Sequence, residues 1–247
     1  MKNDKKLMLL AGVLALGILA GCSSASAASA TSETAGSMAA ASKAVSTTAD
    51  SELRTLPGKE GVVMPIDQGG LEEMKTGSYK FAASITNVDA KKRQLTMTVY
   101  SYDAYLAKDI DALQVDGVLN THLDGTVEAQ DLTVESIERN EENGTVTING
   151  GIEQGGLELV LSRDVYRTDT FDDYPVYYSM GELILPLAED VTLSDSSSSV
   201  DADPVESEGA VDVAKAITED KDNWTPYNTT IFTQEGSVSN IMRIWVP

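Results

Sequence analysis

Two short stretches hold most of the side chains in this chain that are suited to grasping a ligand. Tyr100, Tyr102, Asp103 and Tyr105 form one; Asp172, Asp173, Tyr174, Tyr177 and Tyr178 form the other. A phenol ring offers a flat apolar body with a polar tip, and a neighbouring carboxylate accepts hydrogen bonds, a combination that suits a sugar or a peptide. If the two stretches meet in the fold, Tyr102, Asp103, Tyr105, Asp172, Asp173 and Tyr174 make a candidate ligand-binding set. The other reading is that these tyrosines pack at strand edges.

Most catalytic chemistries lack their residues. His122 is the only histidine and Cys22 the only cysteine. Any Ser-His-Asp or Cys-His device would have to use His122, which lies in the polar run Asn120-Thr121-His122-Leu123-Asp124 and reads as a surface histidine at a loop or strand end. There is no Gly-x-Ser-x-Gly elbow, no dinucleotide or Walker fingerprint and no Cys/His set for zinc, so no cofactor and no metal is expected. Asp169, Asp172 and Asp173, and farther on Asp201 and Asp203, offer hard oxygens of the kind calcium takes, yet the EF-hand pattern is missing and both runs read as acidic loops. Glycoside hydrolysis needs two carboxylates at a set separation, which sequence does not display. The expectation is therefore a non-catalytic chain, with a carboxylate-dependent hydrolase of glycans as the competing class.

The N-terminus is more specific. Lys2, Lys5 and Lys6 precede an unbroken apolar or small-residue run from Leu7 to Ala20. That is the layout of a secretory signal, and the run is shorter than the ~20 residues a membrane-spanning helix takes. Leu19-Ala20-Gly21-Cys22 resembles the lipobox of bacterial lipoproteins. The resemblance implies cleavage before Cys22, removal of residues 1–21 and a thioether-linked lipid on the Cys22 thiol. It also implies a cell-membrane location on the extracytoplasmic face, with the membrane as partner through the anchor. Lipidation would also dispose of a lone exposed thiol, and each buried lipid methylene contributes ~0.8 kcal/mol, so several acyl chains hold firmly.

Residues 22–52 read as the lipidated cysteine and a disordered stalk. Of the 30 residues from Ser23 to Glu52, 24 are Ala, Ser, Thr or Gly, too little apolar surface to offset the entropy of ordering. The full chain has 18 basic and 39 acidic residues; without residues 1–21, which hold three lysines and Asp4, 15 face 38, a net charge of about −23. Such a chain will not neutralise phosphates, so nucleic acid is excluded as a partner, and it is repelled by anionic head groups.

Residues 53–247 read as a single all-β domain of antiparallel hairpins, a small barrel or sandwich, with one or two short helices. Tyr79, Phe81, Ala83 and Ile85 alternate with polar or small residues, as do Leu95, Met97 and Val99, which predicts a hairpin. Tyr105, Leu106, Ile110 and Leu113 predict a short helix capped by Asp103. Thr145 to Ser162 predicts a second hairpin. Val165 to Leu193 predicts strands cut short by Pro175 and Pro186. Residues 194–210 predict a mobile acidic loop, and Val211 to Ile217 a short helix. A last hairpin, Thr229 to Val246, is expected to dock on the sheet formed by Tyr79 to Leu161 through Ile231, Val238, Ile241, Ile244 and Trp245. With signal and stalk, the pattern resembles β-rich lipoproteins of Gram-positive bacteria, whose ligand, protein or glycan, the sequence does not name.

Cys22→Ala is expected to release the protein from the membrane fraction. Full-yield pelleting of that variant with membranes would show that the thiol is not the anchor.

Overall fold

The computed structural model describes residues 61–247 apart from Phe171, Ala202, Lys221 and Asp222. The signal at 1–21, Cys22 and the stalk at 22–52 lie outside the described residues. The described part belongs to one compact unit, Ser51–Pro247, and is all-β. Its strands are β1 (Val62–Val63), β2 (Lys80–Asp89), β3 (Gln94–Tyr102), β4 (Ala104–Leu106), β5 (Val118–Thr121), β6 (Gln130–Thr133) and β7 (Ile137–Asn140). There follow β8 (Thr145–Ile148), β9 (Leu157–Ser162), β10 (Val165–Thr168), β11 (Tyr177–Ser196), β12 (Val205–Glu208), β13 (Thr229–Gln234) and β14 (Ser237–Ile244). The helices are α1 (Leu71–Met74), α2 (Ala107–Ala112) and α3 (Ala210–Glu219), and none among the described residues is long and apolar enough to cross a membrane.

Five strands close into a ring. β2 pairs with β3, β3 with β11, β11 with β14, β14 with β13, and β13 returns to β2. All pairings are antiparallel except β11 with β14, which is parallel. α3 lies between β11 and β13 in the chain and supplies Val213 and Ile217 to the barrel core, as a crossover between non-adjacent strands must. The result is a small barrel, comparable in strand number to five-stranded Greek-key barrels of the OB type.

Closure depends on the length of β11. Its first half, Tyr177–Pro186, registers with β3, and its second half registers with β14 at Leu187 and again from Thr192 to Ser196, with an irregularity between. Pro186 therefore stands where one partner ends and the other begins. The sequence predicts a break there, but a proline that owes no ladder bond at a changeover is tolerated inside one continuous strand. A bulge at Gly181, whose φ is +122°, bends the strand between the registers Ser179↔Tyr100 and Gly181↔Val99. The β13–β14 hairpin turns on Glu235 and Gly236, both at positive φ, the geometry of a two-residue turn that matches strand twist.

The rest of the chain forms a second β body with its own core. The strand order β4-β10-β9-β8-β7 gives one sheet and β1-β5-β6 another. Tyr105, Ile110, Leu119, Ile148, Leu157 and Leu159 are buried between them, apart from the barrel cluster of Phe81, Leu95, Met97, Leu185, Ile231 and Ile241. The first two predicted hairpins, β2–β3 and β8–β9, are present, but they belong to different bodies.

Three further expectations change. The helix predicted from Tyr105 is α2, which starts at Ala107; Tyr105 lies in β4, and the residue before the helix is Leu106, so Asp103 caps nothing. Residues 194–210 are not a loop throughout: Ser194 and Asp195 pair with Glu206 and Val205, making a hairpin of β11 and β12. The last hairpin does dock, but between β2 and β11, not on the sheet that holds Leu161. Within it Ile231, Val238 and Ile241 are buried, whereas Ile244 is 44% and Trp245 39% exposed. The buried tryptophan is Trp224, 4% exposed, with the Arg243 guanidinium 4.4 Å from its ring centre. Arg243 is itself buried, so its charge needs partners; it donates to Asp220 at 2.7 Å and Asp195 at 3.3 Å, and the Arg243 bond holds the Asp220 carboxyl below its usual range.

Trp224→Ala is expected to cost on the order of 3–5 kcal/mol, the usual range for a buried aromatic, and Trp245→Ala well under half of that. Removing residues 222–247 deletes two of the ring strands and should leave the protein insoluble. Denaturant midpoints check the first pair; equal losses for the two tryptophans would contradict this division of the core.

Candidate functional site

The chain leaves the barrel at Tyr102 and re-enters it at Tyr177, and these two residues are register partners at the open end of the β3–β11 ladder. Everything between them builds the second body. The candidate site is at this neck, on two faces of the same strand end.

One face is a buried polar node. Asp103, 1% exposed, links β3 to β4. Its Oδ2 accepts the His122 backbone N–H at 2.7 Å and the Thr121 hydroxyl at 2.9 Å, and its Oδ1 lies 2.8 Å from His122 Nδ1. A carboxylate only accepts, so Nδ1 carries a proton toward Asp103. The Tyr105 hydroxyl donates to the Asn120 carbonyl at 3.0 Å and lies 3.4 Å from Asp103 Oδ2. Burial, with the Asp103 charge adding to it, pushes that hydroxyl well above the ordinary tyrosine value. The His122 ring stacks on Tyr178 with centroids 3.5 Å apart and planes 16° from parallel. His122 is thus not a surface histidine; it joins the end of β5 to the start of β11.

The other face is aromatic. Neighbouring residues of a strand point to opposite sides, so while Tyr178 covers His122, Tyr177 meets Tyr102 edge-on with centroids 6.0 Å apart. Tyr227, from the loop before β13, lies 5.4 Å from Tyr177 and 5.6 Å from Tyr174, both near perpendicular. Two local devices present these rings. Around Tyr174, the Thr170 N–H donates to the Tyr174 carbonyl at 2.7 Å, closing a tight turn. Beside Tyr227, Asn228 donates to the Asn223 carbonyl at 2.8 Å and accepts the Thr225 N–H at 2.9 Å. Arg167 lies next to the cluster, bonded to the Asp169 carboxylate and, at 3.0 Å, to the Asp173 carbonyl. Burial raises the Asp169 carboxyl above its usual range although Arg167 opposes it, and burial likewise raises the Tyr177 hydroxyl.

Of the six residues proposed from sequence, Tyr102 and Tyr174 reach the aromatic face. Asp172 and Asp173 are exposed on the Thr170–Tyr174 turn, where Asp173 contributes its backbone carbonyl. Asp103 and Tyr105 do not face a ligand: both are buried, with Asp103 taken up by donors from β5. Tyr227, Arg167 and His122 were not in the set. Tyr227 stands alone in sequence among Thr, Pro and Asn, so only the closing of the barrel brings it here.

One depression of about 380 Å³ is lined by Arg93, Glu189 and Asp212 among others, and one of about 520 Å³ by residues 126–130, next to Gly125, where a Cβ would meet the Tyr177 carbonyl oxygen at 2.6 Å. Among the described residues no group of three or more His, Cys, Asp or Glu side chains is arranged to hold a metal ion.

Asp103→Asn sets an amide N–H against donors that need an acceptor. The expected loss is about 3 kcal/mol, or a melting temperature lower by roughly 6–12 °C for a domain of this size. An unchanged melt would mean that the node does not hold the two bodies together.

Comparison with known proteins finds no matching family model, no matching curated protein and no matching solved structure.

Proposed function

We propose that this chain is a lipid-anchored extracytoplasmic protein with a non-catalytic binding role at the cell envelope, and that it takes its ligand, protein or glycan, at the tyrosine surface of the neck. The observation that carries the reading is the convergence of Tyr102, Tyr174, Tyr177 and Tyr227 from three separate segments, rings in contact, with Tyr227 43% exposed. Rigid tyrosines give large contact area at low entropic cost, which is how many recognition surfaces are built. The acidity of the chain steers it away from nucleic acid and anionic lipid. Anchorage at Cys22 would place such a domain outside the membrane on its stalk.

One observation favours the second reading, a glycan hydrolase: Asp169 has a raised carboxyl and Asp173 as a like-charged neighbour. A raised carboxyl beside a second one is what a general acid needs. Asp169, however, is 8% exposed and bonded to Arg167, so its proton is poorly placed to reach a glycosidic oxygen.

Retention of the mature chain on washed envelope material separates the two. Wild type is expected to be retained without releasing reducing ends, and the Tyr102→Ala/Tyr174→Ala double variant to be retained about tenfold less. Release of reducing ends that disappears in Asp169→Asn would replace the binding reading with the hydrolase.

A further inference from the structure

We infer that the ligand of this surface is a neutral glycan, and that Tyr227 is the ring on which a sugar stacks. The inference rests on the binding role proposed above and narrows it by charge, space and hydrogen bonding.

Charge excludes the anionic ligands first. With 15 basic against 38 acidic residues after removal of residues 1–21, phosphate polymers and anionic head groups are repelled. A cation held in an aromatic cage is excluded as well. Rings with centroids 5.4 and 5.6 Å apart touch each other, so no gap remains between them for an ammonium group, as an aromatic cage requires. A neutral ligand meets neither obstacle.

Hydrogen bonding then selects among neutral ligands. The hydroxyls of Tyr102, Tyr174, Tyr177 and Tyr227 take part in none of the hydrogen bonds among the described residues, whereas those of Tyr105, Tyr166 and Tyr79 do. Four phenol groups, each able to donate and accept, thus stand beside apolar ring surface. A pyranose has the matching pattern: a C–H face for the ring and hydroxyls around its edge. Tyr227 is the exposed member, and the Asn228 bonds fix its backbone, so little freedom is lost on binding.

The test is titration calorimetry of the mature chain against four soluble probes: a tetramer of N-acetylglucosamine, a tetramer of glucose, oligolysine and polyphosphate. At least one of the two neutral oligosaccharides is expected to bind. Tyr227→Ala should weaken it by about tenfold, Tyr227→Phe by less, with both variants melting as wild type. Failure of both neutral oligosaccharides to bind overturns the inference, as does equal binding by wild type and Tyr227→Ala. If oligolysine or polyphosphate binds instead and Tyr227→Ala abolishes that, the glycan assignment falls while the tyrosine surface stands as a binding site. If neutral sugars bind but none of the tyrosine variants matters, the location proposed for the site is wrong as well.

Discussion

A single buried carboxylate sets the relation between the two halves of the described chain. Asp103 is at the point where the chain exits the barrel, and removing its charge from water would be costly without compensation. The compensation comes from Thr121 and His122, at the end of β5 in the second body. The His122 ring then lies flat on Tyr178 of the returning strand, so exit, return and second body are tied within one layer of side chains. The Thr168 N–H adds a bond to the Asp103 carbonyl at 3.0 Å, bringing β10 into the same node.

The barrel depends in turn on a strand that serves two neighbours in succession. β11 is long enough to finish with β3 before it takes up β14, and the parallel β11–β14 ladder forms only after α3, the loop holding Trp224 and β13 have been laid down. Ring closure is therefore a late, long-range event in chain order, of the kind that makes barrels slow to fold. The buried Arg243 near the end of that ladder, between Asp195 and Asp220, ties the second half of β11 and the end of α3 to the last strand.

What was legible in the sequence was whatever depends on near neighbours. The β2–β3 and β8–β9 hairpins show in strict alternation, and α3 in its apolar spacing. What was not legible depends on a partner chosen far along the chain. Pro186 reads as a break because sequence does not reveal that the strand changes neighbours there. Trp245 reads as core because it is large, but it lies past the last ladder pair, and the shorter-range cue that Trp224 follows the helix covering the barrel is no stronger. Asp103 before a helical pattern looks like a cap, since nothing local announces donors from Thr121 and His122. For the site, Tyr102 and Tyr174 were foreseeable as members of two tyrosine-rich segments; Tyr227, isolated in its loop, was not.

The pairing of Tyr102 with Tyr177 has one more implication. Because exit and re-entry are partners on one rung, residues 103–176 are spliced into the tip of a hairpin, while β1, earlier in the chain, joins the inserted β5. Topologically the barrel would be unchanged if a short turn joined β3 to β11 directly. Barrel and insertion are thus free to diverge at different rates, provided the residues at the splice and the β1–β5 pairing keep their geometry. Tyr102, Tyr174 and Tyr177 all lie at or beside that splice, so the seam between the two pieces is a place that neither piece can redesign alone.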